Sequence, residues 1–158
     1  MLRPRLLIVL FALVLAGLTL KVKPVSAATD THASEQRVEL GVRVARYARR
    51  FVGVRYVYGG MSPRGFDCSG LVAYVYRHFG IKLPHYTVAQ YRRGRNLRVR
   101  RLRPGDLVFF QGMNHVGLYV GRGRFIHAPR SGTRVRVEPL AGWYRGRLVG
   151  VRRIVRWA

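Results

Sequence analysis

The spacing of hydrophobic positions passes along the chain from an unbroken run, to a helical period, to short strand-like stretches. The unbroken run is residues 6–20, LLIVLFALVLAGLTL. From Ser34 onward, Val38, Val42, Ala45, Ala48 and Val52 recur at helical spacing with arginines between them. This predicts an amphipathic helix capped by Ser34 and ending near Gly53. A loop rich in Gly and Pro follows, from Arg55 to Gly65. Asp67 then stands at the N-cap of a second helix, with Leu71, Val72, Val75 and Phe79 on its apolar face and Gly80 closing it. Leu83-Pro84 breaks the chain, and Tyr86 to Arg93 predict a short helix. Beyond the turn Arg103-Pro104-Gly105-Asp106, residues 107–110, 116–120 and 124–127 are short β-branched or aromatic runs, and 135–137 and 148–155 alternate like further strands. Helices followed by strands imply an α+β fold with helices packed on an antiparallel β-sheet.

The apolar run changes the reading of the N-terminus. Arg3 and Arg5 precede it, and the small residues Val25-Ser26-Ala27-Ala28 come after it. A basic start, an apolar middle and a small-residue exit describe a secretory signal. The run is also shorter than the about 20 apolar residues that a membrane span needs. Residues 1–27 are therefore expected to be a signal peptide cleaved near Ala27 or Ala28, with a retained anchor as the alternative. Residues 28–34, ATDTHAS, are expected to form a flexible mature N-terminus, and residues 35–158 a single domain. The expected location is outside the cytoplasm, in the periplasm or the cell wall and beyond.

Charge adds a class of partner. Lys and Arg number 30 against 6 Asp and Glu, for a net charge of +24. Residues 1–27 hold four of those positive charges and no acid, which leaves +20 on the remainder. A field of that size draws polyanions. For an exported protein these are the anionic polymers of an envelope, and no specific nucleic acid is expected. Charge alone also fits a non-enzymatic basic binding protein. Oligomeric state is not legible.

Cys68 is the single cysteine. Exported proteins use cysteines in pairs, so an odd one points to a partner chain or a reactive thiol. A buried small hydrophobe is the plain alternative. In the first turn of a helix, unpaired N–H groups favour the thiolate and are placed to receive an oxyanion. Of five histidines, His32 lies near the N-terminus and His78 late in the second helix, neither a good base, while His85 is a candidate for the rim of a site. His115 begins one predicted strand and His127 ends another, 12 positions on, with Gly121-Arg122-Gly123 as the hairpin turn between them. Antiparallel pairing would set the two imidazoles side by side, one to take the thiol proton and one to orient it. The same three residues suit zinc, although the carboxylates that activate a zinc-bound water are scarce here. Coincidental placement is the third reading.

Five blocks in this order resemble the NlpC/P60 family: Gly53-Val54-Arg55-Tyr56-Val57-Tyr58-Gly59-Gly60, Phe66-Asp67-Cys68-Ser69-Gly70-Leu71-Val72, Leu102 to Phe110, His115-Val116-Gly117-Leu118-Tyr119, and Phe125-Ile126-His127-Ala128. The resemblance covers roughly Val38 to Leu140. It implies a papain-like α+β fold with the catalytic cysteine at a helix N-terminus, and a thiol peptidase of peptidoglycan stem peptides that needs no cofactor or metal. It implies Cys68 as nucleophile, His115 as base and His127 as the orienting third member. It matches Tyr56 to a tyrosine near the thiol, and Asp67 and Ser69 to positions lining the pocket. For Asp67, helix capping is the stronger expectation from the residues themselves. The expected bond joins γ-D-glutamate to a diamino acid, with an endopeptidase or amidase of another wall bond, such as a diaminopimelate–D-alanine cross-link, as the alternative. An appended wall-binding domain, common in relatives, is not expected; the arginine excess is expected to serve in its place.

Overall fold

The computed structural model describes residues 25–155; the expected signal sequence lies almost wholly outside them. Helix α1, Val25–Ala48, is followed by a single turn of 3₁₀ helix, Arg49–Phe51. A two-residue hairpin, β1 (Met61–Ser62) and β2 (Gly65–Phe66), leads into α2, Cys68–His78. After the short helix α3, Thr87–Arg92, the chain forms β3 (Arg95–Asn96), β4 (Leu107–Phe110), β5 (His115–Gly121), β6 (Arg124–His127) and β7 (Arg136–Pro139). A last short helix, α4 (Gly142–Arg147), runs into β8, Leu148–Arg153. The main sheet has the order β3-β8-β4-β5-β6-β7, with every neighbouring pair antiparallel. The α+β expectation holds. Among the described residues no helix is long and apolar enough to cross a membrane.

Differences from the sequence reading have local causes. The first helix begins at Val25, so residues 28–34 are helical and Ser34 lies inside the helix instead of capping it. The segment 25–33, VSAATDTHA, holds three alanines and neither Gly nor Pro, so its polarity does not break a helix. Helix α4 escapes the pattern because GWYRGR has two glycines and no apolar period. By contrast, α2 starts and stops as read. The Asp67 carboxylate accepts from the Gly70 N–H, and Gly80 takes φ +76° just past the last turn.

Strand β4 explains the layering. All four of its residues are buried, because both faces of the sheet are covered. Leu107 and Phe109 pack with Val72, Val75 and Tyr76 of α2 and Val44 and Ala48 of α1. Val108 and Phe110 pack on the other face with Phe125, Val151 and Tyr144. An uninterrupted apolar run is therefore required, where a strand with one wet face would alternate. Below this strand, the buried Asp106 carboxylate receives two hydrogen bonds from Arg153, from Nε to Oδ1 and from an Nη to Oδ2, each 2.7 Å long. The Arg103 N–H donates to the same carboxylate at 2.7 Å, which ties β8 to the turn before β4. Breaking a buried, paired charge costs about 3–5 kcal/mol. Asp106→Ala is accordingly expected to lower stability by about that much in urea unfolding, with Asp106→Asn losing less.

Candidate functional site

The site is built on the start of α2. Asp67 uses both carboxylate oxygens there. Oδ1 accepts from the Gly70 N–H at 2.6 Å and from the Ser69 hydroxyl at 3.1 Å. Oδ2 accepts from the Gly59 N–H at 3.0 Å and pairs with His85 Nε2 at 2.8 Å. The glycine loop lies so close that a Cβ on Gly70 would stand 2.0 Å from the Gly60 carbonyl oxygen. No side chain fits there. Gln90, fully buried on α3, donates from Nε2 to the carbonyls of Ser69 (2.9 Å) and Pro84 (2.8 Å) and fixes the other side of this turn.

Cys68, the first residue of α2, is a buried free thiol. Its Sγ lies 4.0 Å from the Thr87 hydroxyl and 3.8 Å from the Asn114 carbonyl oxygen, and the backbone N–H groups of Val116 and Ser69 point at it. The thiol thus meets β5 on both sides of His115. No hydrogen bond joins Cys68 to His115 in this state. The Cys68 N–H is likewise without a partner among the described residues. Tyr56 is held beside the thiol by its loop, its N–H donating to the Thr133 carbonyl at 2.8 Å and the Val57 N–H donating to the Phe66 carbonyl at 2.9 Å.

His115 and His127 are brought together as read. His115 Nε2 and His127 Nδ1 are 2.7 Å apart, so one ring donates and the other accepts. Strand register places both on the same face of the β5–β6 pair, joined by a tight turn in which Arg122 and Gly123 both have positive φ. With His115 Nε2 committed, Nδ1 is the nitrogen left for other chemistry. His127 is 1% exposed, and its Nε2 is buried without a hydrogen-bond partner. Since the imidazoles bond to each other, neither bonded nitrogen is open to a metal, and the described residues hold no group of three or more metal-ligating side chains.

Burial dominates the electrostatics. It raises the Cys68 thiol, the Asp67 charge adding to the rise, while the Val116 and Ser69 N–H groups and the Thr87 hydroxyl oppose it. The sequence reading expects the helix start to lower this value; the loss of water outweighs that effect. Burial also lowers His115 from 6.5 to about 4, and His127 to about 3 with further lowering by the His115 and Arg136 charges. The resting site is therefore a neutral thiol beside two neutral imidazoles. Tyr56 is raised by burial and by the nearby Cys68 and Asp67 charges, so its hydroxyl remains a donor.

Two cavities meet at Asn114. One, of about 440 Å³, is bordered by Cys68, Tyr56, Asp67, Ser69, His85 and Thr87. The other, of about 660 Å³, is bordered by His115, His127 and residues of α4. Tyr56, Asp67 and Ser69 all border the thiol's cavity, although the Asp67 and Ser69 side chains are already occupied with each other and the loops. Thr87, Gln90 and Asn114 were not legible in the sequence: a threonine, a glutamine and an asparagine outside any motif carry no signal of their own. His85 sits at the rim as considered, through Asp67.

Residues 53–153 match the family described as the NlpC/P60 family. The chain belongs to that family. It is similar to gamma-DL-glutamyl hydrolase of Bacillus subtilis (strain 168), 40% identical over 120 residues covering 71% of this chain and 29% of that protein. It is also similar to murein DD-endopeptidase MepH of Escherichia coli (strain K12), 38% identical over 146 residues covering 85% and 54% of the two chains. The chain thus spans under a third of the first relative and about half of the second. Among solved structures, an NlpC/P60 family protein from Bacillus cereus ATCC 10987 superposes with a TM-score of 0.68 at 33% identity, covering 72% of this chain and 39% of that one. The NlpC/p60 domain of peptidoglycan hydrolase SagA superposes at 0.65 and 32% identity, covering 72% of this chain and 97% of that domain.

The two depressed imidazoles make stability depend on pH. The unfolded chain accepts their protons near pH 6.5, and the folded protein resists them until about pH 4 for His115 and about pH 3 for His127. Their contribution is fully present above pH 6.5 and is lost as pH falls through that window. Urea midpoints measured from pH 7.5 to 4.5 are expected to fall, and to fall less in a His115→Gln/His127→Gln protein.

Proposed function

We propose that this NlpC/P60 chain is a cysteine endopeptidase of peptidoglycan stem peptides. The observation that carries the reading is the arrangement at the start of α2. A single cysteine stands there beside an unpartnered backbone N–H, and the strand against its sulfur carries an imidazole oriented by a second imidazole. The relatives' names, a gamma-DL-glutamyl hydrolase and a murein DD-endopeptidase, support the wall-peptide class.

The proposed reaction is acyl transfer. His115 Nδ1 takes the Cys68 proton as the thiolate attacks the scissile carbonyl. For this, His115 Nε2–H donates to His127 Nδ1, and the His127 proton resides on the buried Nε2. The tetrahedral oxyanion is received by the Cys68 N–H, with the Tyr56 hydroxyl as second donor. Protonated His115 then gives its proton to the leaving amine, and water, activated by the same imidazole, hydrolyses the thioester. Asp67 and Ser69 border the pocket and hold its shape. The γ-D-glutamyl–diamino acid bond is the one proposed. The name of MepH favours the diaminopimelate–D-alanine cross-link as a second reading, and the two bonds give different fragments.

On this reading the chain works in the envelope, with residues 1–27 as its export signal. Its arginines hold it to anionic polymers there. Arg43, Arg46 and Arg50 stand around the stacked Tyr47 and His78 rings where α1 and the turn after it meet α2 and form one basic part of that surface. Retention on purified wall is therefore expected to weaken as salt shortens the Debye length.

Mass spectrometry of defined stem peptides and cross-linked muropeptides tests the reading. The protein is expected to cleave one class, and the fragment masses name the bond. Cys68→Ala is expected to abolish turnover, and His115→Ala to reduce it by about 10²–10⁴-fold, both with unchanged circular dichroism. Turnover by a folded Cys68→Ala protein would refute the mechanism.

A further inference from the structure

The proposed reaction uses the cavity at Cys68 and leaves the larger one unexplained. That second cavity, about 660 Å³, lies where His115, His127, Arg130, Arg136, Trp143 and Arg147 converge. Its charge is unbalanced. Arg136 pairs with Glu138, the acid engaged among these arginines. Arg147 donates from Nη1 to the Trp143 carbonyl at 3.5 Å, and its guanidinium lies 4.0 Å from the centre of the Trp143 ring. The Arg130 guanidinium has no partner among the described residues. Two cations thus face the cavity without an acid. Trp143 is 62% exposed, a large flat surface on a short helix that the fold does not bury.

Chemistry sets which half of a substrate reaches this cavity. The acyl half becomes bonded to Cys68 and stays in the cavity that the thiol borders. The imidazole that protonates the departing nitrogen must lie over the leaving half, and His115 borders the arginine cavity. Guanidinium groups bind carboxylates with paired N–H donors, and an aromatic face packs the chain that carries them.

We propose that the arginine cavity beside His115 binds a free carboxylate carried by the residue on the amine side of the cleaved bond, with Trp143 packing against that residue. The inference rests on the endopeptidase reading for its orientation. It adds a selectivity: wall peptides whose amine-side residue keeps its carboxylate are preferred over those in which it is amidated.

Two peptides identical except for that group, one a free carboxylate and one a primary amide, supply the test. In competition, the protein is expected to favour the carboxylate peptide by about tenfold or more in kcat/KM, the range of a hydrogen-bonded charge. Arg130→Gln/Arg147→Gln is expected to bring that ratio close to one. Calorimetric binding of the isolated amine-side fragment, in carboxylate and amide forms, to Cys68→Ala protein is expected to show the same preference and the same loss. A ratio near one in the unsubstituted protein, or a preference untouched by the arginine substitutions, overturns the inference while cleavage stands. Absence of cleavage of both peptides, with the fragment preference intact, instead refutes the endopeptidase reading.

Discussion

One carboxylate holds the site together. Asp67 is among only six acidic residues in the chain, and it takes hydrogen bonds from the start of α2, from the Gly59 loop and from His85 at once. These bonds join three separate segments around the residue that follows it, Cys68. The cap also consumes the Gly70 N–H, and the Ser69 N–H turns toward the sulfur, so the Cys68 N–H is the donor left over. The cap and the unpartnered Cys68 N–H are thus two results of the same turn. Gly70 completes it, since the Gly60 carbonyl occupies the space of any side chain. The Asp-Cys-Ser-Gly motif is in this sense a packing constraint with a reactive group at its centre.

The burial that this packing imposes keeps the thiol protonated and the imidazoles neutral. A neutral thiol reacts slowly with oxidants, which would suit a single cysteine under the proposed export. On the proposed mechanism, proton transfer to His115 is then required within the reaction, and the hydrogen bond that His115 Nε2–H donates to His127 prepares it. That bond leaves the buried His127 Nε2 without a partner, a cost of about 1–3 kcal/mol for an unsatisfied polar group. The fold retains it at a position where an apolar side chain would pack at no such cost.

Much of this was legible in the sequence because the strongest signals are local. The cap at Asp67, the stop at Gly80 and the Gly121-Arg122-Gly123 turn each depend on neighbours within a few residues, and that turn sets the pairing that brings His115 to His127. The strands of the main sheet beyond β3 follow from their apolar runs. What the sequence did not disclose depends on contacts between distant segments: the roles of Thr87, Gln90 and Asn114, the direction of the Cys68 shift, and the helix α4 whose Trp143, Tyr144 and Arg147 wall the second cavity. The helical course of residues 28–34 was missed for a different reason, since small polar residues permit a helix as readily as a loose tail.

The claim on which the account turns is that the acyl group passes through the Cys68 sulfur. Intact-protein mass spectrometry after rapid acid quenching, during turnover of a stem peptide, addresses it directly. The account predicts a transient mass increase equal to the acyl half of the peptide, mapping to Cys68 and absent from Cys68→Ala. Steady turnover with no adduct on the protein at any quench time, or an adduct on another residue, would contradict it.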